Sequence, residues 1–481
     1  KTYVQALIGR MCLDAAGYQT RRGDIKRVNG KGESMTFENK GKENNGATYG
    51  RRSDWQNLYT IAKKYYEALL ADPGNAQFHL TDPRGASDKS GRTFNNPYQY
   101  FFEQMHMDDA IYADESIYEY PMQQGGGNDG RPYSFGRPSS GGSKAAYPCK
   151  SYGQGRINPA YFYGIFDPND MRRDVSITMT GSNGKGVEKL IPFVPNSKAE
   201  GGGLTLNKWD ENRQANPWVA AQRKSGINGP YMRMSEVYLG YAEVCAALGD
   251  VVTGKQYLKT VRERSFPQGL ADTDGFIASF GNDLVRAIIE ERGFEYAGEG
   301  DRRWTLIRSG YLPEDIKRIK DMTKAMMDGL ATKGYYEFEN GNIISAYIWT
   351  KLVDAKTIYG HRLTAQCPMD KVNDPVLYPG WRGQKDNWEE MGLNYGNSAP
   401  ATNLAIKGLF EIVSEEEAAS LESQGYAKVN WGIDLVDYRD EYDKYLFWDY
   451  DYVSAPIYLW PFTPNVMAAG GFTNGYGFKQ E

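Results

Sequence analysis

Helix pairs, each with a single apolar stripe, alternate in this chain with long stretches that show no period at all. In residues 231–250 (YMRMSEVYLGYAEVCAALGD), Met234, Val237, Tyr241, Val244, Cys245 and Leu248 recur at three- and four-residue steps. Gly249-Asp250 stops that helix, and residues 254–265 supply the return. A second pair follows at 282–297 and 301–310, with Asn282 as the expected N-cap. A stripe of this kind must be buried against another stripe, so the helices have to stack. Near the start, residues 1–18 put Val4, Leu7, Ile8, Met11 and Ala15 on one face, and residues 55–71 put Leu58, Ile61, Ala62, Tyr65 and Leu69 on another. Residues 20–54 between them are polar, basic and rich in Gly and Asn, and read as a long loop. Because the first helix begins almost at residue 1, upstream sequence with an export signal is expected.

Residues 72–230 lack sustained periodicity. They include a Gly/Ser/Pro tract at 123–144 and a strand-like run at Val175–Met179, with Tyr133, Phe135, Tyr147, Tyr152, Tyr161, Tyr163, Trp209 and Trp218 on or near loops. Loops longer than about 15 residues in a folded protein are usually functional or disordered, and rings set among Gly and Asn favour binding. Further on, a helix opens at Pro313-Glu314, and Ser414-Glu415-Glu416-Glu417 has capping-box chemistry. The expected fold is mainly α, a tetratricopeptide-like scaffold of helix pairs with a loop-rich, mixed insertion face, although no fixed spacing of about 34 residues survives. At roughly 150 residues per domain the length would suit about three units, and one helical superstructure equally well.

Composition narrows the chemistry. Lys+Arg number 56 against 61 Asp+Glu, a formal charge of −5, which argues against nucleic acid as a partner. Three histidines (His79, His106, His361) and the absence of an H-E-x-x-H pattern leave zinc or histidine-based catalysis poorly supported. The cysteines, Cys12, Cys149, Cys245 and Cys367, form no C-x-x-C pair; Cys12 and Cys245 fall on apolar helix faces as small hydrophobes. No run of about 18 apolar residues marks a membrane helix. Gly125–Gly130 satisfies G-x-G-x-x-G, but polar residues precede it and Arg131-Pro132 follows, so a nucleotide fingerprint is rejected. Asp449 and Asp451, or Asp437, Asp440 and Asp443, offer oxygens for a structural calcium, without an EF-hand loop; a solvated or structural role is preferred, and no cofactor is implied. Tyrosines (36) outnumber phenylalanines (19) almost twofold, which suits wet binding surfaces as well as cores.

Residues 231–243 (YMRMSEVYLGYAE) are similar to the "YLRLAEVYLNYAEA" helix of the SusD/RagB family of Bacteroidetes outer-membrane lipoproteins. Glu291-Arg292, Glu295 and the run Glu299–Arg308 resemble its "ER..E...EG.RRWDLIR" segment, and Tyr458–Pro464 with Asn474-Gly475-Tyr476 resembles its "LxPIP…QNPGY" close. Asp167-Pro168, Arg172–Asp174 and Leu204–Trp209 fit more loosely, and the opening helix looks like "AxALxARVYLYAG". The matches run through nearly the whole chain in the family's order. Ser309-Gly310 stands where the family has Trp-Gly, and the family's lipid-bearing Cys and first helices are not seen. The resemblance implies one SusD-like unit: residues 1–72 a helix pair with inserted loop, 73–230 a ligand-binding insertion, 231–330 scaffold, and 331–481 a mixed C-terminal region. It further implies a non-enzymatic cell-surface protein, held to the outer membrane by an N-terminal lipid anchor. Such a protein would capture oligosaccharide or polysaccharide for a SusC/RagA-like TonB-dependent transporter. Peptide cargo for the same kind of transporter lid is the alternative, and a secreted glycosidase a more distant one.

Sugar faces stack on rings while their hydroxyls bond polar groups, which needs neither His nor metal. Tyr133, Tyr152, Trp209 and Trp218 are the leading ligand-binding candidates, and Trp381 and Trp388 are added from the C-terminal region. The acids and arginines of Glu291–Arg308, like Arg233 and Glu236, read as ion pairs between helices, with Trp304 buried beside them. No sequence pattern selects the two carboxylates that glycoside hydrolysis requires.

Overall fold

Tyr66 decides how the first helices pack. It lies on α2 (Trp55–Ala71), pressed between Gly9 of α1 (Thr2–Ala16) and Gly240 of α6 (Met234–Ala247). A Cβ at Gly9 would come 2.3 Å from its ring, and one at Gly240 2.7 Å from its hydroxyl. The small-residue face of α1 (Ala6, Gly9, Cys12, Leu13, Ala16) therefore turns inward, and the expected stripe is wrong: Val4 and Met11 are 54% and 60% exposed. Likewise α2 buries Trp55, Tyr59, Ala62, Tyr66 and Leu69 while Ile61 is exposed. Tyr59 and Tyr66 win the inward face through their rings: the Tyr59 hydroxyl donates to Glu243 at 2.9 Å, whereas the enclosed Tyr66 hydroxyl has no partner among the described residues.

The computed structural model describes residues 1–83, 96–106, 112–126, 130–139, 150–182, 188–194, 202–210, 223–354, 402–440 and 451–478. The segment expected to be loop after α1 is a three-stranded antiparallel sheet: β1 (Gln19–Arg22), β2 (Phe37–Asn39) and β3 (Ala47–Arg52), in the order β1-β3-β2. Asn44 and Ala47 exchange backbone hydrogen bonds around Asn45-Gly46, both at positive φ, the two-residue turn that Asn-Gly favours.

The insertion contributes short elements: α3 (Pro97–Gln104), capped by Asn96; β4 (Ser116–Tyr120); α4 (Arg131–Phe135); α5 (Arg172–Ser176); β5 (Ile177–Thr178); β6 (Thr180–Ser182); β7 (Glu188–Leu190); β8 (Thr205–Leu206) and β9 (Gly229–Arg233). β4 and β9 form an antiparallel ribbon that ties the insertion to the start of α6. A strand and a single helical turn thus do flank Gly125–Gly130, contrary to the sequence reading. The antiparallel partner and the brevity of α4 still set it apart from the βαβ unit of a nucleotide site.

From Arg233 onward the helices follow in pairs: α6 and α7 (Val251–Glu263), then α8 (Thr273–Ala278), α9 (Leu284–Glu295), α10 (Asp301–Ser309) and α11 (Leu312–Lys333). The α6 helix packs on α2, α7 and α9, so it is buried nearly all round rather than along one stripe. Asp283, not Asn282, caps α9, accepting from Arg286 N at 3.0 Å; Asn282 occupies the left-handed region. Beyond α11 lie a hairpin, β10 (Tyr335–Glu337) with β11 (Ile343–Ser345), and a sheet in which β12 (Tyr347–Asp354) is flanked by β13 (Thr402–Lys407) and β14 (Ala427–Asn430). The expected capping box is formed by Ser414 and Glu417.

Ion pairs fill the layer between insertion and scaffold. Glu295 accepts from Arg172, Arg233 and Arg264, Glu291 from Arg172 and Arg262, both at 2.7 Å, and Glu115 from Arg233 and Arg264. Burial alone would raise the Glu295 carboxyl, yet the three guanidiniums hold it far below the usual range. The acids and arginines of Glu291–Arg308 therefore join helices, as the sequence suggested, but Trp304 is not among the buried residues: it is 60% exposed.

Candidate functional site

A cleft of about 610 Å³ opens where α1, the β4–β9 ribbon, α4 and the α9–α10 turn converge. The turn carries Gly298 and Gly300 in the left-handed region, and at Gly298 a Cβ would come 2.4 Å from Leu206, so the chain passes hard against β8 before α10 begins. Asp301, Trp304, Thr305 and Arg308 then recur at i, i+3, i+4, i+7, and this one face of α10 forms a wall of the cleft. Arg10, Leu13 and Asp14 of α1 stand among the other lining residues, with Tyr120, Tyr231 and Arg233 from the ribbon. Phe135 of α4, Trp209 after β8, and Tyr296 after α9 add to the aromatic lining.

Exposure of these rings rises from floor to rim: Trp209 is 9% exposed, Phe135 46%, Tyr120 47% and Trp304 60%. The charges among them are paired. Arg10 forks onto both carboxylate oxygens of Glu236 and donates to the Tyr231 carbonyl at 2.8 Å, with its guanidinium 5.0 Å over the Tyr231 ring. Arg308 forks onto Glu243. Arg233 donates to Glu299 at 2.9 and 3.1 Å, and Lys208 to the same carboxylate at 2.6 Å. Burial pushes the Lys208 ammonium down to about 8, with Glu299 only partly opposing it. Arg292 binds Asp301 and holds its carboxyl below the usual range against the pull of burial. The Arg292 Nη1 atom finds no acceptor among the described residues. The cleft therefore offers flat rings and charges largely matched in pairs, the Arg292 Nη1 atom being itself buried. Such walls suit an uncharged, hydroxyl-rich molecule with apolar faces.

The SusD family model matches residues 76–461. The chain belongs to the SusD family. Solved structures similar to this SusD-family chain include a SusD homolog from Bacteroides thetaiotaomicron VPI-5482 (17% identity, TM-score 0.44, 68% of this chain and 56% of that one). B. fragilis NanU is another (16%, TM-score 0.38, 65% and 56%). A third is surface glycan-binding protein A from B. thetaiotaomicron in complex with laminarihexaose (18%, TM-score 0.35, 54% and 52%). The chain spans little more than half the length of these structures, and at such TM-scores the likeness is loose and places no ligand here. No curated relative matches the chain significantly. The family span contains every wall of the cleft except that from α1.

In this SusD-family protein the candidate residues separate. Trp209 lines the cleft. Tyr133 and Tyr152 do not; Tyr133 of α4 packs edge to face on Tyr152, 5.1 Å between centroids, with Arg223 over the Tyr133 ring and Lys150 over the Tyr152 ring. Trp218, Trp381 and Trp388 lie outside the described residues. Sequence reasoning missed Trp304, Tyr120, Tyr231 and Tyr296 as lining groups, and named Phe135 only among the loop rings. The signal was present for Trp304, since it shares a helical face with three polar residues and not with Leu306 and Ile307.

His106 is buried and satisfied, its Nδ1 2.7 Å from Phe102 O and its Nε2 accepting from Asp210 N; His79 contacts Asp114; His361 lies outside the described residues. Among the described residues no group of His, Cys, Asp or Glu could hold a metal. Asp437 and Asp440 are exposed, Asp451 closes a turn through Val453 N and Ser454 N, and Asp443 and Asp449 are not described. Cys12 and Cys245 are buried thiols, pushed up by burial, while Cys149 and Cys367 are not described. Among the described residues no helix is long and apolar enough to cross a membrane.

Proposed function

We propose that the cleft captures a glycan without altering it, at the cell surface, and passes it to a SusC-like TonB-dependent outer-membrane transporter. In this reading an N-terminal lipid anchor holds the protein to the outer membrane. The observation that carries the glycan reading is the wall itself: Trp304, Tyr120, Tyr231, Phe135 and Trp209 around a space large enough for several sugar units, interleaved with paired charges. Membership of the SusD family supports it.

The chemistry of the walls favours capture over hydrolysis. A glycosidase needs a carboxyl held protonated as general acid, opposite a second carboxylate. Here Asp301 is driven the other way by Arg292, and Glu236 and Glu299 are occupied by Arg10, Arg233 and Lys208; burial does raise the Asp14 carboxyl, with Arg308 3.7 Å away pulling against it, but the carboxylates that would have to work opposite it are held in these ion pairs.

Affinity electrophoresis through gels containing plant, host and microbial polysaccharides, followed by calorimetry on any that retard the protein, tests the cargo. Retardation by at least one glycan, with no new reducing ends, is expected. If no glycan binds and oligopeptides co-purify instead, the cargo is peptide. Co-purification of a large β-barrel protein with the tagged full-length protein from outer membranes tests the transporter.

A further inference from the structure

Among the described residues, Asp14 is the one carboxylate of the cleft wall that the fold leaves without a hydrogen bond. Glu236, Glu299 and Asp301 each accept from guanidinium or ammonium groups. The Asp14 side chain lines the cleft, accepts no hydrogen bond from a described residue and is 57% exposed. It stands in the last turn of α1, where the negative end of the helix disfavours an acid. No hydrogen bond within the fold offsets that placement.

Arg308 faces it. Both Nη atoms of Arg308 fork onto Glu243, which leaves Nε pointing to Asp14 Oδ1 at 3.7 Å. That gap is too long for a direct hydrogen bond, yet an oxygen set between the two can lie within about 2.7–3.2 Å of each. Backbone contacts hold the spacing. Tyr18 N donates to the Arg308 carbonyl at 2.7 Å, and a Cβ at Gly17 would come 2.5 Å from Arg308 Cβ, so the end of α1 sits directly on the end of α10. Trp304, one turn earlier on the cleft face of α10, sets its solvated ring beside the pair.

We infer that Asp14 and Arg308 Nε together read one free hydroxyl of a neutral sugar unit seated beside Trp304. This rests on the glycan reading above and adds which sugar unit the cleft accepts. Only a group that donates and accepts through one atom satisfies both partners: the hydroxyl O–H donates to the Asp14 carboxylate, and its oxygen accepts from Nε–H. A carboxylate or sulfate on the sugar has no proton for Asp14 and sets a second negative charge against it. An acetylated or methylated oxygen lacks the proton too. Both protein groups are in place before the ligand arrives, so the bond forms at little ordering cost. Around Asp14 stand Arg10 on its own helix, Glu236 of α6, Arg292 of α9 and Arg308 of α10; burial by the cleft walls raises its carboxyl above the ordinary range, against the pull of Arg308 and Arg292. Because the ionised form accepts the hydroxyl, affinity falls on acidification sooner than an ordinary aspartate would allow.

The test uses the polysaccharide that retards the full-length protein most strongly, cut by partial acid hydrolysis into short oligosaccharides. By calorimetry, Asp14→Ala should raise Kd about tenfold or more, and Asp14→Asn, which keeps one acceptor oxygen without the charge, by less. Both variants should melt at or above the temperature of the unaltered protein, since no hydrogen bond of the fold depends on this carboxylate. Affinity of the unaltered protein should fall as the solution is acidified, and that fall should be absent in Asp14→Asn. The polysaccharide that retards most strongly should itself be neutral. A folded Asp14→Ala variant that binds within about twofold of the unaltered protein overturns the hydroxyl reader, as does a polyuronate or sulfated glycan as the strongest ligand. Either result leaves the cleft reading standing where Trp304→Ala still weakens binding. Failure of every glycan to bind the unaltered protein overturns both.

Discussion

Replacing Trp304 by Ala removes the most exposed ring of the cleft wall. An indole buries roughly 150–250 Å² when fully enclosed, and 60% of this residue is open to solvent. A sugar covering about half of that open part would remove some ~60 Å² of ring from water, which at about 25 cal/mol per Å² contributes on the order of 1.5 kcal/mol. The expected result is a Kd raised roughly tenfold for every bound glycan. Stability should hardly change, within about 0.5 kcal/mol, because the ring is solvated in the free protein. Isothermal titration paired with a thermal melt reads both quantities. An unchanged Kd in a folded variant would refute the stacking argument, and a large fall in melting temperature would show that the ring is structural.

Glu295→Gln leaves three buried guanidiniums sharing a neutral group. Urea denaturation should show a loss of about 3–5 kcal/mol with little change in slope, and a loss below about 1 kcal/mol would contradict the account of this layer. Gly240→Ala drives a methyl against the enclosed Tyr66 hydroxyl and should cost about 1–3 kcal/mol; an unchanged melt would mean that the helices part easily. In acid, burial would raise Glu290, but Arg302, Arg318 and Arg286 hold it down to about 2, against an ordinary 4.5. Its contribution, on the order of 3 kcal/mol, is complete above about pH 4.5 and is lost as pH falls toward 2, because only the unfolded chain takes up the proton within that window. In Glu290→Gln the acid limb of a stability–pH curve should lose part of its slope there; an identical slope would show that the ion pairs do not shift this carboxyl.

The scaffold was legible where helices repeat and where capping residues announce their ends, as at Ser414–Glu417 and at Gly249-Asp250. Facing was harder to read. On α1 and α2 the inward face is set by Gly9, by the Tyr66 ring packed against it and by Tyr59, whose hydroxyl reaches the buried Glu243, so a stripe built from the most apolar residues points the wrong way. The sheet after α1 was missed although Asn45-Gly46 is a strong hairpin signal, because its strands are short and rich in arginine. The aromatic character of the candidate site was readable, but its membership was not. Tyr133 and Tyr152 satisfy one another, whereas the cleft joins residues from α1 to α10 that only a folded chain brings together.

A crystal structure with a bound oligosaccharide of the retarding polysaccharide bears on the central claim most directly. The account predicts an uncleaved chain in the cleft, with sugar faces against Trp304 and Tyr120. A chain bound elsewhere with the cleft empty, or a cleaved product within it, would contradict it.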